Sequence, residues 1–213
     1  MNKPNLETSL ATMPLVAILR GIKPDEIVEV GGILAESGFS VIEVPLNSPD
    51  AFRSIELLAR SYGDRVLVGG GTVLSPEDAR QVADAGGRLI VAPNANPAVI
   101  RAARQADCHA LPGVATPTEA FAALEAGADG LKVFPAEQIP PAVIRAWRAV
   151  LPPQTLLLPV GGITLENISA YRDAGASGFG LGSSLYRAGD PVAEIRRKAA
   201  GFAGWWNALQ GNS

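Results

Sequence analysis

Eight short apolar runs recur along the chain, at residues 15–19, 41–44, 66–68, 89–91, 109–111, 130–133, 155–158 and 178–181, and their starts lie 20 to 26 residues apart. The runs are almost continuously apolar, without the alternation of a half-solvated antiparallel sheet. They read as strands of a parallel sheet covered on its faces by helices. Segments of helical period lie between them, at 24–36, 49–60, 76–85, 97–105, 117–126, 140–150 and 164–174. Proline opens most of these segments, where its missing N–H costs nothing. Gly38, Gly86, Gly127 and Gly175 follow helix ends and suit left-handed C-caps. Eight strand–helix units predict an α/β fold, a (β/α)8 TIM barrel formed as a single domain over residues 1–213. An open doubly wound sheet is the alternative, and no G-x-G-x-x-G with an acidic residue at the usual interval supports it. Leu6, Leu10 and Met13 predict a short N-terminal capping helix. A last helix over 191–209 places Val192, Ile195, Ala199, Phe202, Trp206 and Leu209 on one stripe that should pack on the barrel.

A formal charge of -3 leaves no basic footprint, so no nucleic-acid partner is expected. A single cysteine, Cys108, forbids an intrachain disulfide and fits a reducing compartment. No apolar run approaches the ~20 residues of a membrane span, and the first residues lack a signal-peptide apolar region. A cytoplasmic protein with no membrane partner is the expectation.

In such a barrel the functional groups stand at the C-terminal ends of the strands. The sixth run carries Lys132, between Leu131 and Val133. Only four lysines accompany fourteen arginines, so surface charge does not explain this one. It is either a strand-end lysine reaching to water or a carbonyl-attacking amine whose pKa is lowered by apolar surroundings. Glu43, inside the second run, is either an arginine's structural partner or a proton shuttle moved toward neutrality. Arg20, ending the first run, is an anion ligand or a rim ion pair. Gly69, Gly70 and Gly71 permit a ligand to approach the backbone, with Thr72 as a donor, or simply serve a turn. Gly161 and Gly162, and Gly182 with Ser183, sit after strands seven and eight, where barrels commonly bind phosphate. Thr116 and Glu119 read as a capping box. His109, the only histidine, reads as structural, and one His beside one Cys makes no metal site.

The segments Ile18-Leu19-Arg20-Gly21, Glu43-Val44-Pro45-Leu46-Asn47-Ser48-Pro49, Gly71-Thr72-Val73-Leu74, Pro93-Asn94, Pro112-Gly113, Lys132-Val133-Phe134-Pro135, Gly161-Gly162-Ile163 and Gly182-Ser183-Ser184-Leu185 run in order over roughly residues 14–190. In this ordered set the chain resembles the class I 2-keto-3-deoxy-6-phosphosugar-acid aldolases, barrel enzymes that work through a lysine Schiff base. The resemblance implies that Lys132 forms the imine and Glu43 moves the protons. It implies that Arg20 and Thr72 hold the carboxylate end, with Arg20 also open to the phosphate. Gly161, Gly162, Gly182 and Ser183 would hold the phosphate, and Phe134 would wall the pocket. The products would be pyruvate and glyceraldehyde 3-phosphate, without metal or cofactor, in a homotrimer. Val160 stands where the gluconate-type members typically carry threonine, which implies the C4-epimeric galactonate-type acid. The gluconate epimer, or a phosphosugar isomerase or epimerase barrel, are the alternative readings.

Overall fold

The computed structural model describes residues 4–211. Its strands are β1 (Leu15–Ile18), β2 (Val41–Pro45), β3 (Leu67–Gly71), β4 (Leu89–Val91), β5 (His109–Leu111), β6 (Gly113–Val114), β7 (Gly130–Val133), β8 (Leu156–Pro159) and β9 (Phe179–Leu181). The helices are α1 (Leu6–Thr12), α2 (Ile27–Glu36), α3 (Ala51–Tyr62), α4 (Pro76–Asp84), α5 (Pro97–Gln105), α6 (Pro117–Glu125), α7 (Pro141–Arg148), α8 (Ile168–Asp173) and α9 (Val192–Gln210), with a 3-10 turn at Ala136–Gln138. Among the described residues no helix is long and apolar enough to cross a membrane.

All strand pairs are parallel, as expected for strands buried on both faces. The expected single eight-stranded sheet is instead two, one ordered β5-β4-β3-β2-β1-β9 and one ordered β6-β7-β8. The split falls at Pro112, which has no N–H for the ladder; the fifth run forms β5, and β6 begins just after the proline. Its carbonyl still accepts from the Lys132 N–H at 2.9 Å. The sheets abut at both seams. On one side the Asp129 N–H donates to Ala110 O at 3.0 Å. On the other, Val160 bridges Gly180, and the Ser177 N–H donates to Leu157 O at 2.8 Å.

Two hydrophobic clusters result. The larger lies between strands and helices, and α9 joins it through Ile195, Ala199 and Phe202. Val192, expected on the same stripe, is exposed. The smaller gathers Val16, Val41, Leu67, Leu89, Val91, Leu111 and Leu158 from the inward faces of the strands, closed below by Leu6 and Leu10 of α1. Strand side chains alternate, so residues two apart share a face. Glu43 therefore stands above Val41, and Ile18 above Val16. Lys132 is opposite Leu158 in the ladder and shares its inward face.

Local signals set the helix ends. Ser75 with Asp78, and Thr116 with Glu119, form capping boxes. The glycines at 38, 86, 127 and 175 all take the left-handed φ expected of C-caps. Helices α2 and α8 begin three and four residues later than the sequence pattern suggests, because turns occupy 24–26 and 165–167. His109 is structural: its Nε2 accepts the Leu6 N–H at 3.3 Å, and its Nδ1 lies 3.3 Å from Asp129 Oδ1. It thereby fastens α1 across the N-terminal ends of the strands.

Candidate active site

Lys132 projects from the third position of β7 and is only 6% exposed. Its Nζ lies 4.7 Å from the centroid of the Phe134 ring and has no carboxylate within 4.0 Å among the described residues. Burial lowers its pKa, the Arg20 charge lowers it further, and Glu43 opposes both. Glu43 is 1% exposed, and its Oε2 has no hydrogen-bond partner among the described residues. Burial lifts its pKa to about 7, against the pull of Lys132 and Arg20. The two groups therefore approach neutrality from opposite sides.

Glycine at 71 makes that position for Glu43 possible. A Cβ there would run into the Glu43 carboxyl group. At 69 and 70 a Cβ would strike Leu89 and Val82. The three glycines thus make room for protein neighbours; the sequence suggested ligand approach or a turn. Thr72 follows at φ 55°, a left-handed conformation unusual for a β-branched residue.

A cavity of about 550 Å³ opens over Lys132 at the C-terminal ends of the strands. Arg20, Lys132, Phe134, Val160, Gly161, Gly162, Gly182 and Ser183 line it, which brings together eight of the ten residues singled out from sequence. Glu43 and Thr72 both stand outside the lining; Glu43 is buried and feels the charges of Lys132 and Arg20, which do line it. The Arg20 Nη1 donates to Asn47 Oδ1 at 2.6 Å, and the Gly21 N–H donates to Ser48 Oγ at 2.9 Å, which ties the loops after β1 and β2 together. Gly161 and Gly162 both have positive φ, at 103° and 64°, and the Asn167 side chain donates to Gly162 O at 2.7 Å. A Cβ at Gly182 would meet nothing within 4 Å, so this glycine leaves part of the cavity open. Val160 fills space beside Gly180, where a Cβ would press on its methyl groups.

The lining also includes Glu137, Tyr186 and Arg187, which the sequence did not single out. Glu137 follows Lys132 by five residues, in the 3-10 turn, and its carboxylate lies against Gly161 and Gly162. Arg187 follows Ser183 by four. Neither carries a sequence pattern beyond its nearness to these motifs.

A buried amine of lowered pKa beside a carboxyl group titrating near neutrality can attack a carbonyl and move the protons that follow. The arginines and the glycine-rich loops suit an anionic ligand.

A family profile described as KDPG and KHG aldolase matches residues 6–197. A 2-dehydro-3-deoxy-6-phosphogalactonate aldolase from Escherichia coli (strain K12) is 48% identical over 190 residues, 89% of this chain and 93% of the relative. A solved structure described as native KDPGal superposes with a TM-score of 0.91 at 47% identity, covering 93% of this chain and 97% of that one. The KDPG aldolase of Legionella pneumophila, solved with pyruvate captured as a covalent carbinolamine, superposes with a TM-score of 0.77 at 26% identity, covering 94% of this chain and 96% of its own. With the profile spanning nearly the whole chain and the lysine-bearing cavity intact within it, the chain belongs to the KDPG and KHG aldolase family.

Proposed function

We propose that this aldolase cleaves 2-dehydro-3-deoxy-6-phosphogalactonate to pyruvate and glyceraldehyde 3-phosphate, with Lys132 as the Schiff-base residue and Glu43 as the proton shuttle. The observation that carries the reading is the buried Lys132 amine, with no carboxylate within 4.0 Å among the described residues, in the lining of a cavity that also holds two arginines. The neutral amine adds to the C2 ketone, and the carbinolamine loses water to give an iminium. Glu43, as carboxylate, takes the proton of the C4 hydroxyl. The C3–C4 bond breaks, its electron pair flows into the iminium to give an enamine, and glyceraldehyde 3-phosphate leaves. The carboxyl group, now protonated, returns a proton to C3. Water then adds to the iminium, releases pyruvate and restores the amine. One carboxyl of pKa about 7 serves both directions, because it is a competent base and a competent acid near neutral pH.

The relative from Escherichia coli and Val160 in the cavity wall favour the galactonate-derived epimer over the gluconate-derived one. The inward cluster and the two hydrogen-bonded seams support reading the sheets as one (β/α)8 barrel whose fifth strand is interrupted at Pro112. The family resemblance supports a cytoplasmic homotrimer.

Borohydride reduction in the presence of pyruvate tests the mechanism. A reduced pyruvate adduct should map to Lys132 by peptide mass and vanish in Lys132→Ala. An adduct surviving that substitution would sink the assignment. Measured side by side, kcat/KM should be higher for the galactonate epimer than for the gluconate epimer; the reverse order overturns the substrate choice.

A further inference from the structure

The proposed substrate is anionic at both ends, and this inference rests on that reading: a carboxylate is attached to the reacting C2, and a phosphate sits at the far end of the carbon chain. Two arginines line the cavity, Arg20 and Arg187. Neither has a carboxylate within 4.0 Å among the described residues. Arg20 donates to the neutral Asn47 amide. The Arg187 Nε donates to the Ser183 carbonyl at 3.2 Å, and its backbone N–H donates to Asp190 Oδ2 at 3.1 Å. Asp190 is itself neutralised by Lys198, 2.7 Å away. Arg187 therefore holds its place by neutral and backbone contacts and keeps its charge for a ligand.

We infer that Arg187 is the phosphate-recognising cation of this site, which leaves Arg20 to the substrate carboxylate. Arg187 borders the cavity together with Gly161, Gly162, Ser183 and Ser184, at the loops after β8 and β9. Arg20 belongs to the loop after β1 and is bonded to that after β2, on the side of Glu43. The charges felt by the Lys132–Glu43 pair point the same way. The Arg20 charge acts on both Lys132 and Glu43, whereas Arg187 figures among the causes for neither. The carboxylate is one bond from the carbon that Lys132 attacks, and the phosphate is several bonds away. The arginine felt by that pair therefore suits the first and the other arginine the second. Glu137 sharpens the need for a cation here. Its carboxylate lies against Gly161 and Gly162, where a phosphate would otherwise meet only backbone dipoles and a like charge.

The test compares Arg187→Gln and Arg187→Lys with the unmodified enzyme, on the phosphorylated acid and on its unphosphorylated counterpart. Arg187→Gln should lower kcat/KM for the phosphorylated acid by about ten- to a hundredfold, as expected for losing a hydrogen-bonded charge, mainly through KM. On the unphosphorylated acid the change should stay within about twofold, since the reacting groups are untouched. Arg187→Lys should recover part of the loss, because charge is kept and the planar fork is not. Equal losses on both acids, or none on either, overturn the assignment. Titration calorimetry with inorganic phosphate decides the matter without turnover. The unmodified protein should bind it and Arg187→Gln should bind it at least about tenfold more weakly; equal binding, or none to the unmodified protein, overturns the inference. An unmodified enzyme that cleaves neither acid would refute the proposed function alone and leave the calorimetric result standing.

Discussion

Replacing Glu43 with glutamine removes the titration and nearly preserves the shape. In the folded protein burial holds this carboxyl at about 7, against an ordinary 4.5. Between those values the folded state keeps a proton that the unfolded chain has released, so stability falls as pH rises from about 4.5 and levels off above about 7. From pH 5 to pH 8 the loss from this group alone is about 2.5 kcal/mol. Glu43→Gln should not suffer it. Lys132 adds to the difference in the same direction. Glu43 is the group that raises the lysine pKa, so its removal lowers that pKa further. A lysine held below its ordinary value gains stability as pH rises, because deprotonation relieves its burial.

Urea unfolding of both proteins at the two pH values is the assay, with constant slope as the check on two-state behaviour. Relative to the unmodified protein, Glu43→Gln should be more stable at pH 8 than at pH 5 by at least about 2.5 kcal/mol. Titrating groups other than Glu43 and Lys132 are shared and cancel. Parallel stability curves would refute the reasoning, since they would mean that the Glu43 carboxyl is not held away from its ordinary value. In activity the same variant should still form the borohydride-trappable imine while turnover falls by about 10²- to 10⁴-fold, the usual worth of a general acid–base group.

Gly71→Ala should fold, as judged by far-UV circular dichroism, yet lose most of its kcat, because the added methyl displaces the Glu43 carboxyl group; normal kcat would show that this carboxyl position is not required. Val160→Thr keeps the volume and adds a hydroxyl to the cavity wall. The ratio of kcat/KM between the two C4 epimers should move toward the gluconate form by about tenfold, the effect of roughly one hydrogen bond; an unchanged ratio would remove Val160 from the specificity determinants.

Much of the fold was legible because each unit repeats the same local chemistry. Pro76, Pro97 and Pro117 open helices where a missing N–H is free, and Gly38, Gly86, Gly127 and Gly175 end them where φ must be positive. Strand ends were less legible. Pro112 directly follows an apolar run and splits the ladder, a consequence of hydrogen bonding that hydrophobic pattern does not report. Helices α2 and α8 start late because Pro24 and Thr164 open turns that share the helical apolar spacing.

The site was legible where chemistry conflicts with burial and obscure where it does not. A lysine and a glutamate inside apolar strands violate the ordinary pattern, and that violation is what marks Lys132 and Glu43. Arg187 and Glu137 violate nothing, since charged residues in exposed loops are ordinary, and only the arrangement of strand ends brings them to one cavity. The glycines fall between these cases. Glycine-rich strand ends suggest a nearby ligand, yet Gly71 is required by the carboxyl group of Glu43 on the adjacent strand, while Gly182 has open space where its side chain would be. In the proposed mechanism a glycine of the first kind positions the proton shuttle, and one of the second kind makes room for the substrate. Only the space around the missing Cβ distinguishes them. On that criterion an alanine at 71 acts on kcat through Glu43, whereas an alanine at 182 would act on substrate entry through the cavity volume.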